Sequence, residues 1–198
     1  MRKSISFLFL ATLVLGVLFF LSNNSEFYSK ISPGFLEIKE DTTGLLKETE
    51  EQISAPSPLI VEKRLPESFL AQEGVLAWTN IQRTKHGLPA LRESIQLNAS
   101  ARIKTQDMLE KQYFAHISPD GKGAGDFVRK SGYEFLTVGE NLALGDFEND
   151  EALVQGWMDS PGHRANILNP QYEEIGVAVL RGEFQGRTTW LAVQHFAK

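Results

Sequence analysis

Residues 157–170 read WMDSPGHRANILNP, and the local structure expected here decides how the rest of the chain is interpreted. Pro161 disfavours helical geometry at Ser160, so the helix before it should end there. Ser160 and Pro161 can equally be the N-cap and first residue of a new short helix, which makes His163 its third residue. A lone histidine in such a place has little meaning, so its partners must be sought elsewhere.

Two other stretches offer partners for His163. Residues 114–121 read FAHISPDG and contain His116, and residues 138–143 read VGENLA and contain Glu140. Two imidazoles and one carboxylate fill three of the four positions around zinc and leave one for water or a ligand. His116, Glu140 and His163 are therefore candidate ligands for zinc or another divalent cation.

A purely structural interpretation of the same residues stays open, because nothing local in the sequence brings them together. Unlike the two histidines of an HExxH helix, they are widely separated along the chain. His163 can cap or pack a helix start, His116 can bond to a backbone carbonyl, and Glu140 can be an acceptor at a strand edge. His195 alternates with Val193 and Leu191 on one strand face, which favours a structural role.

The composition limits the classes of function. The chain has 198 residues, 42% hydrophobic and 23% charged, which predicts one domain with appendages. Its net charge of -5 and lack of a basic face argue against nucleic-acid binding. It has no cysteine, which excludes disulfides, cysteine-ligated zinc and a thiol nucleophile.

The N-terminal region predicts export. Arg2 and Lys3 precede an uncharged apolar run over residues 5–21, which as a helix would reach roughly 26 Å, near the short end of what spans a bilayer. The basic N-terminal flank places the rest of the chain outside the cytoplasm. A cleaved signal peptide is the alternative. The following SNNSEF lacks the small residues of a cleavage site, so we expect residues 1–22 to be a single-pass anchor in the cell's own membrane.

The remaining sequence divides into a linker and a domain. Residues 23–66 are rich in proline and glutamate, which predicts a flexible extracytoplasmic linker. Residues 67–198 show amphipathic helices first and a C-terminal hairpin, in which Ile175 to Val179 and Leu191 to His195 are the strands. This order predicts an α+β fold with helices covering a small antiparallel sheet.

Four stretches of this domain resemble, in order and spacing, the bacterial branch of the CAP superfamily. These are FAHISPDG, GENLA, WMDSPGHRANILNP and EIGVAV, and the similarity extends from about Ser68 to the C-terminus. The superfamily comprises cysteine-rich secretory proteins, antigen 5 and pathogenesis-related proteins. The resemblance implies a three-layer α-β-α sandwich whose cleft carries two histidines and two glutamates.

Matched residue by residue, the resemblance assigns the cleft positions. His116 and His163 take the histidine positions and Glu140 the first glutamate position. The second glutamate position falls on Ser160, so this chain offers three of the four groups. We expect Ser160 and Asn141 to line the cleft. Some relatives hold zinc or another divalent ion there, which implies the same ion for this chain.

Two classes of function follow. The first is a membrane-anchored extracytoplasmic binding module that takes a divalent metal, a small ligand or a polymer whose identity the sequence does not give. The second is a metal-dependent hydrolase acting on peptides or cell-envelope polymers. Binding is favoured because the sequence shows no general base beside the site. A serine hydrolase using Ser160 or Ser118 is disfavoured by the absence of a GxSxG motif.

Overall fold

A computed structural model describes residues 56–65 and 67–198. The expected anchor at residues 1–22 and most of the expected linker lie outside these residues. Within the described ranges, every helix is too short or too polar to cross a bilayer.

The described residues form five helices and five strands. In chain order these are β1 (Leu59–Val61), α1 (Gln72–Lys85), β2 (Arg92–Glu93), α2 (Ile95–Lys111), α3 (Ala124–Lys130), β3 (Val138–Gly145), α4 (Asp150–Asp159), α5 (Pro161–Ile167), β4 (Glu174–Phe184) and β5 (Arg187–Ala197). The predicted C-terminal hairpin is present as β4 and β5, joined by a tight turn in which Gln185 and Gly186 both have positive φ.

The five strands form one mixed sheet in the order β1-β3-β5-β4-β2. The three central strands are antiparallel, whereas the two short edge strands each run parallel to their neighbour. The expectation of a purely antiparallel sheet is therefore wrong at both edges. Three-residue and two-residue strands are too short to show an alternating pattern, so their direction was not visible in the sequence.

Helices cover both faces of this sheet. On one face, residues of α1, α4 and α5 such as Val75, Trp157 and Ile167 pack in one apolar cluster with Ala192 and Phe196 of β5. On the other face, Ala101 and Met108 of α2 pack against Leu142, Leu191 and Val193. Because successive strand residues point to opposite faces, β5 supplies both clusters. The described domain thus has a helical layer on each side of a central sheet.

Strand β1 corrects the expected end of the linker. Residues 59–61 fall in the range assigned to the linker, yet they pair with Ala143 to Gly145 at the end of β3. Leu59 and Val61 pack partly buried against the main apolar cluster, while Ile60 is exposed. The folded unit therefore begins before residue 67, because an edge strand needs only a few apolar residues when a partner strand supplies its hydrogen bonds.

Ser160 joins two helices as the sequence predicts. It ends α4 and is the N-cap residue of α5, with Pro161 as the first residue of α5 and His163 as the third. The backbone at Ser160 is extended, which redirects the chain between the helices. This junction places His163 at the start of α5, where its side chain is buried.

Candidate functional site

Glu140 lies in the centre of the candidate site, on strand β3. In the antiparallel pairing of β3 with β5 it stands directly opposite His195, and its Oε2 accepts a hydrogen bond of 2.9 Å from His195 Nε2. The other ring nitrogen of His195 lies 2.7 Å from Ser100 Oγ on α2. His195 is fully buried, so sheet register and helix packing together fix this pair.

His116 bonds to the other oxygen of the same carboxylate. Its Nδ1 donates to Glu140 Oε1 over 2.6 Å, and its Nε2 donates to the carbonyl oxygen of Pro56 over 2.6 Å. A carboxylate and a carbonyl can only accept, so both ring nitrogens of His116 act as donors. Glu140 therefore holds two histidines at once, and the chain segment before β1 reaches the site.

Lys104 is a buried cation beside this carboxylate. Its Nζ donates to the carbonyl oxygens of Ala115 and His116 over 2.8 and 2.7 Å, which fixes the loop that carries His116. Burial of Glu140 favours the neutral acid, but the charge of Lys104 and the hydrogen bonds from both histidines outweigh it and lower the pKa of Glu140 to about 2. Glu140 is thus ionised at neutral pH.

His163 is in a different environment. Its Nδ1 lies 2.9 Å from Ser160 Oγ, and its Nε2 is buried with no hydrogen-bond partner among the described residues. Burial, followed by the charge of the neighbouring His116, lowers the pKa of His163 to about 4. The ring is therefore neutral at pH 7. The hydroxyl of Ser160 bonds to this ring rather than to the backbone of α5.

Asn141 and Glu140 are neighbouring residues of the predicted site, but their side chains lie on opposite faces of the sheet. Asn141 follows Glu140 in the strand and so points to the opposite face of the sheet. Its side chain donates to the carbonyl of His163 over 3.2 Å and to Gln194 over 3.1 Å, and it accepts from Asn166 over 2.9 Å. Asn141 is completely buried and fastens α5 to the sheet.

The donor atoms do not form a metal site in this arrangement. No group of three or more histidine and acidic side chains among residues 56–65 and 67–198 is placed to hold an ion. Both oxygens of Glu140 and both nitrogens of His116 have partners, and a nitrogen that donates its hydrogen has no lone pair for a metal. Among the nitrogens of the two histidines predicted to bind the metal, Nε2 of His163 has no hydrogen-bond partner in the described ranges.

The sequence did not assign His195, Pro56, Lys104 or Ser100 to the site. His195 was interpreted as structural because its strand neighbours are apolar, and only the register of β3 with β5 reveals that it faces Glu140. Pro56 lies in the range taken as linker, where no periodic pattern marks it. A separate surface groove of about 390 Å³ beside Phe114, Phe184 and Arg187 is lined by none of the site residues.

The comparisons with known proteins agree with the fold. The family model described as the cysteine-rich secretory protein family, CAP, matches residues 76–196. The protein YkwD of Bacillus subtilis (strain 168) is 40% identical over 134 residues, which cover 65% of this chain and 52% of YkwD. The membrane protein YlbC of the same organism is 32% identical over 130 residues, which cover 66% of this chain and 37% of YlbC.

A solved structure supports the same conclusion. The extracellular protein containing a SCP domain from Bacillus anthracis str. Ames is similar in structure with a TM-score of 0.55 and 32% identity, over 64% of this chain and 40% of that chain. The matched region spans about half or less of each of these three relatives. The family match covers more than half of this chain and includes His116, Glu140, His163 and His195. The chain belongs to the CAP family, as a bacterial SCP-like domain.

Proposed function

We propose that this chain is a membrane-anchored, extracytoplasmic binding protein whose cleft between His116 and His163 takes a ligand. The observation that carries the proposal is the buried Nε2 of His163, which has no partner among the described residues. A buried polar atom without a hydrogen bond costs about 1–3 kcal/mol, so a group that fills this position gains a favourable interaction. When the Nδ1 hydrogen of the neutral ring is donated to the Ser160 hydroxyl oxygen, Nε2 keeps its lone pair and can accept a hydrogen bond or bind a cation; in the other tautomer Nε2 is a donor.

The location outside the cytoplasm rests on the sequence and on the relatives. The apolar run of residues 5–21 follows two basic residues, as in a single-pass anchor. One relative is named a membrane protein and another an extracellular protein. Protease added to intact cells should degrade the domain of a full-length, epitope-tagged chain, and a domain that is degraded only after lysis would contradict this part of the proposal.

Binding is favoured over hydrolysis by the state of the carboxylate. In the described part of the chain, Glu140 accepts from two histidines and lies beside Lys104, so it is not placed to take a proton from water. A general base must reach the proton that it removes. Cleavage of peptide or cell-envelope polymer libraries that depends on added zinc and on Glu140 would establish the hydrolase instead.

A more specific version of the proposal is that the ligand is a divalent metal ion. Zinc prefers nitrogen ligands such as imidazole, and His163 supplies one neutral ring. His116 could supply a second nitrogen only if Pro56 moved away and its Nε2 gave up its hydrogen. Glu140 holds and orients the ring of His116, a role that carboxylates have behind ligand histidines.

Calorimetric titration of the full chain in detergent micelles tests this version. Zinc should bind at one ion per chain only with Pro56 displaced from His116, and His163→Leu should abolish that binding without lowering the melting temperature. His86→Leu is the matched control, because His86 caps the end of α1 through its bond to the Gln82 carbonyl. If titration with zinc, manganese and magnesium produces no saturable binding heat, the chain does not bind these metals. The proposed ligand would then be an organic molecule.

A further inference from the structure

Residues 56–61, called the strap below, run from His116 to the sheet edge, where Leu59–Val61 form strand β1. At one end the Pro56 carbonyl accepts a hydrogen bond from His116, and the Pro56 side chain is buried. At the other end Leu59 to Val61 pair in parallel with β3. The family match begins at residue 76, so the strap lies outside the region shared with the family model.

Three glycines from three different elements make room for the strap. A Cβ at Gly162 of α5 would lie 2.5 Å from the Cβ of Pro56, and one at Gly156 of α4 would lie 3.0 Å from Leu59. At Gly145 of β3 a Cβ would lie 2.3 Å from the carbonyl oxygen of Val61, and φ is +133°. Glycine at these positions allows a peptide backbone to approach closely.

The contacts of the strap are those that a groove makes with an extended peptide. Its main chain pairs with β3, which would be the edge of the sheet without the strap, its alternate side chains pack partly buried against the apolar cluster, and one carbonyl is bound by a fixed donor. Ile60, between Leu59 and Val61, is 58% exposed. The buried Nε2 of His163, next to Gly162, adds a polar position with no partner in the described residues.

We propose that this groove binds an extended, proline-containing peptide segment of another protein, and that the strap is a tethered copy of that ligand which occupies the groove until it is displaced. The proposal rests on the binding function proposed above and names its ligand class. Since the strap is covalently attached, it competes at an effective concentration in the millimolar range, on general grounds for short connections. A peptide ligand must therefore displace it.

Fluorescence anisotropy with a labelled peptide of residues 56–63, PSPLIVEK, tests the proposal on the full chain in detergent micelles. The double change Leu59→Asp and Val61→Asp should release the strap and tighten peptide binding about tenfold or more, because competition from the tether is removed. Ile60→Asp is the matched control. It alters the same strand at its exposed position and should leave the affinity at the wild-type level.

A second variant locates the peptide in the groove. Adding Gly162→Ala to the released chain should weaken binding about tenfold, because the new Cβ would overlap the proline ring. A peptide with glycine in place of the first proline lacks that ring and should regain part of the affinity for this variant. Binding to the folded, released chain that is absent, or that Gly162→Ala leaves unchanged, would overturn the proposal.

Hydrogen exchange of the wild-type chain keeps the test independent of whether the released variant folds. Excess peptide should accelerate amide exchange in residues 57–61, with Pro58 giving no signal, and unchanged exchange at saturating peptide would refute displacement. Zinc titration of the same samples separates the two proposals. Zinc binding without peptide binding overturns the peptide ligand alone, whereas loss of both overturns the binding function as well.

Discussion

His116 bonds to the Pro56 carbonyl, and His163 follows Gly162, which lies against the Pro56 side chain, but the two rings are held in different ways. Each nitrogen of His116 has a strong acceptor, and the loop that carries it is fixed by Lys104. His163 has one hydroxyl partner at Nδ1 and none at Nε2 within the described ranges. One ring is part of a buried ionic network, whereas the other is neutral and partly unsatisfied.

Because the two rings are held differently, we expect His116 and its partners to contribute to the stability of the fold and His163 to contribute to ligand binding. A buried carboxylate with several donors is costly to disrupt, because the groups left behind lose their partners in a poorly solvated place. A buried ring with a missing partner contributes little to stability and remains available to a ligand. We therefore expect substitutions around Glu140 to affect folding, and substitutions of His163 to affect binding.

The largest effect is expected from Glu140→Ala. It leaves Lys104, His116 and His195 without their shared carboxylate and should lower the free energy of unfolding by about 3–5 kcal/mol. Urea denaturation followed by tryptophan fluorescence measures the change. Glu134→Ala, at an exposed position, is the control and should change stability little. A loss for Glu140→Ala no larger than that of the control would show that the network does not stabilise the fold.

An intermediate effect is expected from acid. Unfolded His163 takes up a proton near its ordinary pKa of 6.5, whereas in the folded chain the pKa is about 4. The unfolded state therefore binds more protons between these values, and the free energy of unfolding should fall by up to about 3 kcal/mol as the pH drops through this window. Glu140, whose pKa is lowered to about 2, adds a further loss below pH 4.5.

Urea denaturation at pH 7.5 and pH 4.5 measures the contribution of His163. His163→Leu should reduce the difference between the two pH values, because the group that titrates in this window is gone. Ser118→Ala keeps all four histidines and provides the comparison. An equal pH dependence in wild type and His163→Leu would mean that the ring is not buried in its neutral form.

The smallest effect is expected from His163→Leu at pH 7.5. Leucine removes the bond to Ser160 but also the buried nitrogen that has no partner in the described structure, so the free energy of unfolding should change by less than about 1 kcal/mol. His116→Leu is the companion variant and should cost distinctly more. Equal losses for the two variants would remove the distinction between the two rings.

The sequence was informative where the residues carried local signals. Pro161 after Ser160 predicted the junction of α4 and α5 and the position of His163 in its helix, and the alternation in β4 and β5 predicted the hairpin. The contact of His116 with Glu140 followed from the resemblance and not from spacing. The metal assigned to these residues remains a prediction.

The features of the fold and site that the sequence did not reveal depend on pairing between segments far apart in the chain. Whether His195 faces Glu140 is set by a register that joins strands about fifty residues apart, and an apolar strand gives no sign of it. The same alternation places the side chains of Glu140 and Asn141 on opposite faces, so it is Asn141 whose side chain bonds to α5. Strand β1 was missed because three residues beside prolines and charges resemble a linker.

The direction in which the strap runs from His116 to the sheet has a mechanical consequence. A pulling force transmitted from the N-terminal side reaches Pro56 before it reaches Leu59 to Val61. The bond to His116 and the packing of Pro56 against Gly162 would rupture first, and the strand, loaded along its length, would resist by shear. Tension on the chain would thus load the contacts of Pro56 before those of the central sheet.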